Sequence, residues 1–195
     1  MDKSKTKKDE IIEASLDLFS ENGYNAVSTR MIARAVNASD AVIYKHFKNK
    51  QEILNTIVED CISYYQKKIS KIDIQTVSWK DIENICIEMF KIQTTDSKIV
   101  KFRRLLIVEQ YKNETMKNIF KNIFIEYPLK TMCEIFRELI DLGYMKKNDP
   151  EVYAMELYAP FFMYHTIGGD SEMLIQKLKA HVTNFRKNVI TNDIV

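Results

Sequence analysis

Three observations predict an all-α fold. Glycine and proline are scarce, at four and three of 195 residues, while Lys, Glu, Ile and Leu abound; such a composition favours helices. Apolar residues recur at helical spacing through segment after segment. Capping residues punctuate those segments, with serines opening helices at Ser28 and Ser39 and glycines closing them at Gly23 and Gly143. An apolar share of 46% is ample for a core, and the length suits one or two small domains. About nine helices are expected.

The first helix covers Ile11 to Phe19 and ends in Ser20-Glu21-Asn22-Gly23-Tyr24, with Gly23 as a left-handed C-cap and Tyr24 as the hydrophobic contact after it. Ser28 offers a hydroxyl to the free N–H groups of the next helix, on which Ile32, Ala35 and Val36 form an apolar face. Asn37 sits at the turn, being one of the few non-glycine residues that tolerates a left-handed backbone. Ser39 is the cap expected for the third helix, with Asp40 beside its positive end. Ile43 and Phe47, four apart, point inward, which leaves Asp40, Ala41, Tyr44, Lys45 and His46 outward.

A long fourth helix runs from about Lys50 to Lys71, with Leu54, Val58, Cys61, Tyr65 and Ile69 on its core face. Asp73 to Ser78 breaks the chain before a fifth helix carrying Ile82, Ile85, Met89 and Ile92. Thr94 to Asp96 ends it, and Ile99 to Lys112 forms the next, with Phe102, Leu105, Leu106 and Val108 buried. A further run extends from Thr115 towards Tyr144, and Pro128 inside it predicts a kink or boundary. Pro150 opens the following helix at the favoured first position. Gly168-Gly169 ends that helix, and Ser171 to Ile190 forms the last.

Two short helices joined by a tight turn, as in Ser28–Leu54, form the unit that sets one helix in a DNA major groove. The first fifty residues hold nine Lys/Arg and seven Asp/Glu, and their positives concentrate at Lys3–Lys8 and Lys45–Lys50. Beside a recognition helix, such a run points to phosphate contact.

The motif Ile43-Tyr44-Lys45-His46-Phe47-Lys48-Asn49-Lys50 ahead of the long helix, with Gly23-Tyr24 ending the first, resembles the tetracycline-repressor family over about the first quarter of the chain. Asn37-Ala38-Ser39 stands where that family often has Gly-Val-Ser. The resemblance implies a helix-turn-helix DNA-binding domain at 1–50 and a helical effector-binding and dimerisation domain at 51–195. It places Asp40, Ala41 and above all Lys45 at base edges. Ser28, Thr29, Arg30, Tyr44, His46 and Lys50 are then expected on the phosphate backbone.

The helix from Pro150 to Ile167 is apolar nearly all round, so it is buried on both sides. One side carries Val152, Met155, Ala159, Phe162 and Met163, the other Ala154, Leu157, Tyr158, Phe161 and His165. The last helix carries a single stripe of Leu174, Leu178, Val182, Phe185 and Val189. The resemblance implies a two-fold four-helix bundle, with Val152, Met155, Ala159, Phe162, Leu174, Leu178, Val182 and Phe185 at the interface. It also implies a small-molecule site, for which Phe102, Leu106, Phe120, Tyr127, Phe136, Tyr158, Phe161 and His165 are candidates beside the plainer reading of each as core. His165 either contacts a ligand or caps the helix end near Gly168, and the cap is the preferred reading.

The three histidines, His46, His165 and His181, have no triad or metal-ligand arrangement around them, and no glycine-rich phosphate loop occurs. Neither enzyme activity, cofactor nor metal is therefore expected. Cys61, Cys86 and Cys133 lack metal-ligand spacing and read as buried thiols of a reducing compartment. No signal segment or membrane span is apparent, so a cytoplasmic protein without membrane contact is expected. The expectation is a homodimeric DNA-binding transcription regulator, a repressor released from its operator by a largely apolar small molecule. A helical adaptor that keeps the fold without small-molecule control is the rival.

Overall fold

A computed structural model describes residues 5–70, 79–167 and 172–191. The expected break at Asp73–Ser78, the Gly168-Gly169 helix end, Ser171 as a helix start, Lys3 and Lys71 lie outside the described residues. The helices are α1 (Lys7–Asn22), α2 (Thr29–Ala35), α3 (Asp40–His46), α4 (Lys50–Ile69), α5 (Trp79–Thr95), α6 (Ser97–Glu109), α7 (Glu114–Lys121), α8 (Tyr127–Asp141), α9 (Pro150–Ile167) and α10 (Glu172–Val189). A π-helical turn, Asn122–Glu126, joins α7 to α8 without a break. With that run taken as one, the described residues form nine helices and no strands.

The chain divides into two compact units, one from residues 1–67 and 97–118, the other from 68–96 and 119–195. In the first, α1 begins with a reciprocal cap. The Thr6 hydroxyl accepts from the Asp9 N–H, and the Asp9 carboxylate accepts from the Thr6 N–H at 3.0 Å. These bonds hold the Asp9 carboxyl below its ordinary range. At the other end Gly23 has φ +79° and ψ 156°. That is a mirror-extended conformation, not the left-handed helical one expected, and it is open essentially to glycine alone. Phe19 and Tyr24 then meet edge to face, with ring centroids 5.3 Å apart.

The Ser28 hydroxyl accepts from the Met31 N–H at 3.3 Å, as expected of a cap. Asn37 takes the turn at φ 49°. Ser39 occupies the cap position of α3, but its side chain makes no capping bond. On α6, Phe102, Leu105 and Leu106 are buried against the first unit's core, whereas Val108, expected inside, is 40% exposed.

In the second unit α8 and α9 pack together, and α10 packs on α5 and α9. Phe136, Tyr153 and Phe185 form one aromatic cluster, with centroid separations of 5.7–6.5 Å. After α8 the chain is tied back to the end of α10, where the Lys146 N–H donates to the Val189 carbonyl at 2.8 Å.

Pro128, where a kink or boundary was expected, lies at a boundary of helical type, between the π turn Asn122–Glu126 and the body of α8. The helix passes through it by widening into the π turn just before it. Its nitrogen has no hydrogen for the Phe124 carbonyl, its α-helical partner. That carbonyl instead accepts the Tyr158 hydroxyl at 2.7 Å.

The apolar stripe of α10 also has a different destination. Leu174, Leu178, Val182 and Phe185, expected between subunits, are buried in their own unit, Phe185 at 6% exposure against Phe136 and Tyr153. That single stripe covers the core of α10's own unit. On α9 the two sides separate as expected. Ala154, Leu157, Tyr158, Phe161 and His165 are buried, while Val152 and Met155 stand 42% and 61% exposed and Phe162 is half-buried. Ala159 and Met163 are exposed on that same outer side.

Candidate nucleic-acid interface and ligand cavity

Helix α3 is short, and its position depends on its buried residues. Ile43 and Phe47 are sealed inside, and the Lys8 ammonium lies 5.4 Å from the Phe47 ring centre. Helical periodicity then forces Ala41, Tyr44 and Lys45 outward, and all three are exposed; Asp40 and His46 are half-buried. The N-terminus of α2 meets this face through two contacts. Thr29 and Tyr44 hydroxyls are 3.4 Å apart, and Arg30 Nε lies 3.5 Å from Asp40 Oδ2. The structure thus gathers Thr29, Arg30, Asp40 and Tyr44, with Lys45 projecting beside them. At the exposed Arg30–Asp40 pair the attraction is weak, so it leaves both groups available to a stronger partner.

Lys50 is placed differently from a free phosphate ligand. Its ammonium donates to the carbonyls of Tyr24 and Val27, both at 2.8 Å, and lies 4.2 Å from the Tyr24 ring centre. It ties the loop between α1 and α2 to the start of α4. Its position at a helix start made it look like a phosphate contact, because sequence spacing does not reveal the carbonyls that converge on it. The start of α4 is satisfied by its own neighbours. Asn49 Oδ1 accepts from the Glu52 N–H at 2.9 Å, and the Glu52 carboxylate accepts from the Lys48 N–H at 2.6 Å.

The second unit contains a cavity of about 90 Å³. Of the eight expected pocket residues, Tyr127, Phe136, Tyr158, Phe161 and His165 line it. Phe102 and Leu106 do not, because α6 turns them into the core of the other unit. Phe120 packs against Phe124 and Phe162 instead. One side of the cavity comes from α5, through Ile82, Ile85, Cys86, Met89, Phe90 and Gln93. That wall was missed, although Gln93 within an otherwise apolar stripe was a readable signal.

His165 lies in the last turn of α9. It is buried, its ring stacked on Phe90 at 5.1 Å and edge-on to Tyr158 at 6.1 Å. Cys86 is buried, and burial pushes its thiol up to about 12. Among the described residues no Lys, Arg, Asp or Glu lines the cavity. The Thr131 hydroxyl is spent on the Tyr127 carbonyl at 2.9 Å and that of Tyr158 on Phe124. None of the helices, over the described residues, is long and apolar enough to cross a membrane.

A short helix with a sealed inner face and an exposed outer one, held by a second helix across a left-handed turn, defines a helix-turn-helix domain. Residues 11–57 match the family model described as bacterial regulatory proteins, tetR family. A curated relative, the biofilm operon icaADBC HTH-type negative transcriptional regulator IcaR of Staphylococcus epidermidis, is 41% identical over 58 residues, 30% of this chain and 31% of that protein. The match thus spans about a third of the relative's length. Solved structures share the fold over nearly the whole chain. The ketosteroid transcriptional regulator KstR2 of Mycobacterium tuberculosis aligns with a TM-score of 0.69 at 14% identity, covering 97% of this chain and 98% of that one. SmeT, the repressor of the Stenotrophomonas maltophilia multidrug efflux pump SmeDEF, gives 0.63 at 20% identity, covering 96% and 92%.

Proposed function

We propose that the chain is a homodimeric transcription repressor that binds an operator through α3 and is released by a small, uncharged, largely apolar ligand. Residues 1–50 supply the DNA contacts, and residues 51–195 bind the effector and pair the subunits. The observation that carries this reading is the outward face of α3, with Lys45 at its centre, within a domain matched over residues 11–57. Lys45, Ala41 and Asp40 read base edges; Ser28, Thr29, Arg30, Tyr44 and His46 hold phosphates. Lys50 contributes by fixing the loop beneath them.

Pairing uses the uncovered side of α9, where Val152, Met155, Ala159 and Phe162 leave an apolar surface open. A two-fold pair presents two α3 helices to two half-sites. The cavity supports the ligand class, since a charged guest would find no carboxylate, lysine or arginine among the described residues of its wall. At about 90 Å³ it lies below the ~300 Å³ at which ordinary ligand sites begin, so the ligand-bound form is the more open one. Ligand must bind the DNA-incompetent form better, and DNA must then weaken ligand by the same factor.

Recovery of bound duplexes from random DNA by the purified chain, followed by a screen of metabolites for release, tests this. A palindromic preference and release by neutral apolar compounds are expected. Absence of any salt-sensitive duplex binding would leave the adaptor reading in its place.

A further inference from the structure

The π turn Asn122–Glu126 and the cavity share a wall, since Tyr127, Pro128 and Tyr158 line the one and border or bond the other. A π turn holds one residue more than an α turn. It therefore offsets the side chains before it from those after it by about 100°, the rotation of one residue. Three contacts maintain that offset. The Tyr127 N–H donates to the Asn122 carbonyl. Lys121 and Glu126 pair at 2.6 Å, and a five-residue separation is one that a regular α-helix does not bring face to face. The Tyr158 hydroxyl donates to the Phe124 carbonyl, the group that Pro128 cannot serve.

We propose that this π turn reads the occupancy of the cavity, with Tyr158 as the coupling residue. When the cavity fills, Tyr158 gives up Phe124, and the released turn resets the register of Lys121 and the residues before it against α8. The argument is one of size. A cavity of ~150 Å³ accepts a benzene ring, and this one has about 90 Å³. A guest with a ring must displace part of the close-packed wall. Tyr158 is the lining residue whose hydroxyl is bonded to the turn itself, and its ring meets Phe162 and His165, each at 6.1 Å, so a shift of that wall is carried to the Phe124 carbonyl. The inference deepens the ligand-controlled reading above and takes its biological meaning from it.

Hydrogen exchange of the full chain, read by mass spectrometry over residues 122–130, tests the coupling without ligand or DNA. Tyr158→Phe keeps the ring and removes the hydroxyl. Exchange in that segment should quicken about tenfold, as for loss of one buried hydrogen bond. Tyr153→Phe, which removes a hydroxyl donating to the Lys146 carbonyl at 3.3 Å, should leave the segment unchanged. Cys86→Phe places a ring in the cavity as a permanent occupant and should loosen the same segment while α10 stays protected. Wild-type protection in Tyr158→Phe overturns the proposal, as does a folded Cys86→Phe with a protected turn. Should Cys86→Phe fail to fold, the Tyr158→Phe comparison decides alone. A failure of operator binding would count against the proposed function and would leave these rates as they are.

Discussion

Replacing Lys50 with Met keeps the length of the side chain and removes its charge, which separates two roles that predict opposite results. In the structure the ammonium closes the α1–α2 loop through two carbonyl bonds of 2.8 Å and lies over the Tyr24 ring at 4.2 Å. Hydrogen bonds from a charged donor contribute ~1.5–3 kcal/mol each and an exposed cation–π contact ~0.5–1 kcal/mol. Lys50 is only half-buried, so the low end applies and the loss is about 2–4 kcal/mol. With a urea dependence of about 2 kcal/mol per molar, the unfolding midpoint should fall by about 1–2 M. Duplex affinity should fall for all sequences, because the loop beneath α2 is no longer held, while its salt slope stays put. A phosphate contact would do the reverse: the midpoint would hold and the slope would drop by ~0.9. Urea titration and binding at several salt concentrations on the same preparation decide between them. An unchanged midpoint with a reduced slope would refute the loop-clamp role.

Three further outcomes are expected. Lys45→Ala should relax sequence preference at one base pair by ~1–3 kcal/mol, seen as a flattened position in selected duplexes; uniform weakening would make Lys45 a phosphate contact. Met155→Glu, on the open side of α9, should give a folded monomer by light scattering. Phe185→Glu should instead unfold the second unit in a circular-dichroism melt, since it buries a carboxylate among Phe136 and Tyr153. The thiols of Cys61 and Cys86, raised by burial from 9.0 to about 12, are neutral in the folded chain. Their pKa is higher folded than unfolded, so the stability they contribute is full below about pH 9 and is lost as pH rises towards 12. Urea midpoints between pH 8 and 10.5 should decline, and Cys86→Ser should flatten that decline.

Local chemistry was legible in the sequence where one residue answers one backbone need. Asn37 at φ 49° and the Ser28 cap are such cases, and so is the inward pair Ile43 and Phe47. What sequence spacing could not reveal was the partner across the fold. An apolar stripe on α10 shows that something covers it, not whether that something is the same chain, and here it is. Phe102 and Leu106 resemble Phe136 and Phe161 in type and spacing, yet α6 belongs to the other compact unit. Pro128 announces a missing N–H, but the remedy, a wider turn and a tyrosine from α9, depends on a residue thirty positions later. Ser39 is a residue of the right type that makes no capping bond.

The bond from the Tyr24 N–H to Glu109 Oε1, 2.9 Å long, joins the end of α1 to the end of α6 across 85 positions of sequence. At Gly23 beside it, φ +79° strains any residue with a side chain, and a Cβ there would press on the same carboxylate oxygen at 3.3 Å. The reading head is therefore not a detachable cassette. A gene fusion that cut after residue 50 would strand its first joint without the acceptor that terminates it. A transplant between regulators would have to carry α6 along with the first four helices, two stretches of gene instead of one. Recombination that swaps operator preference among such proteins would then succeed by exchanging a few residues on α3 more readily than by exchanging whole heads.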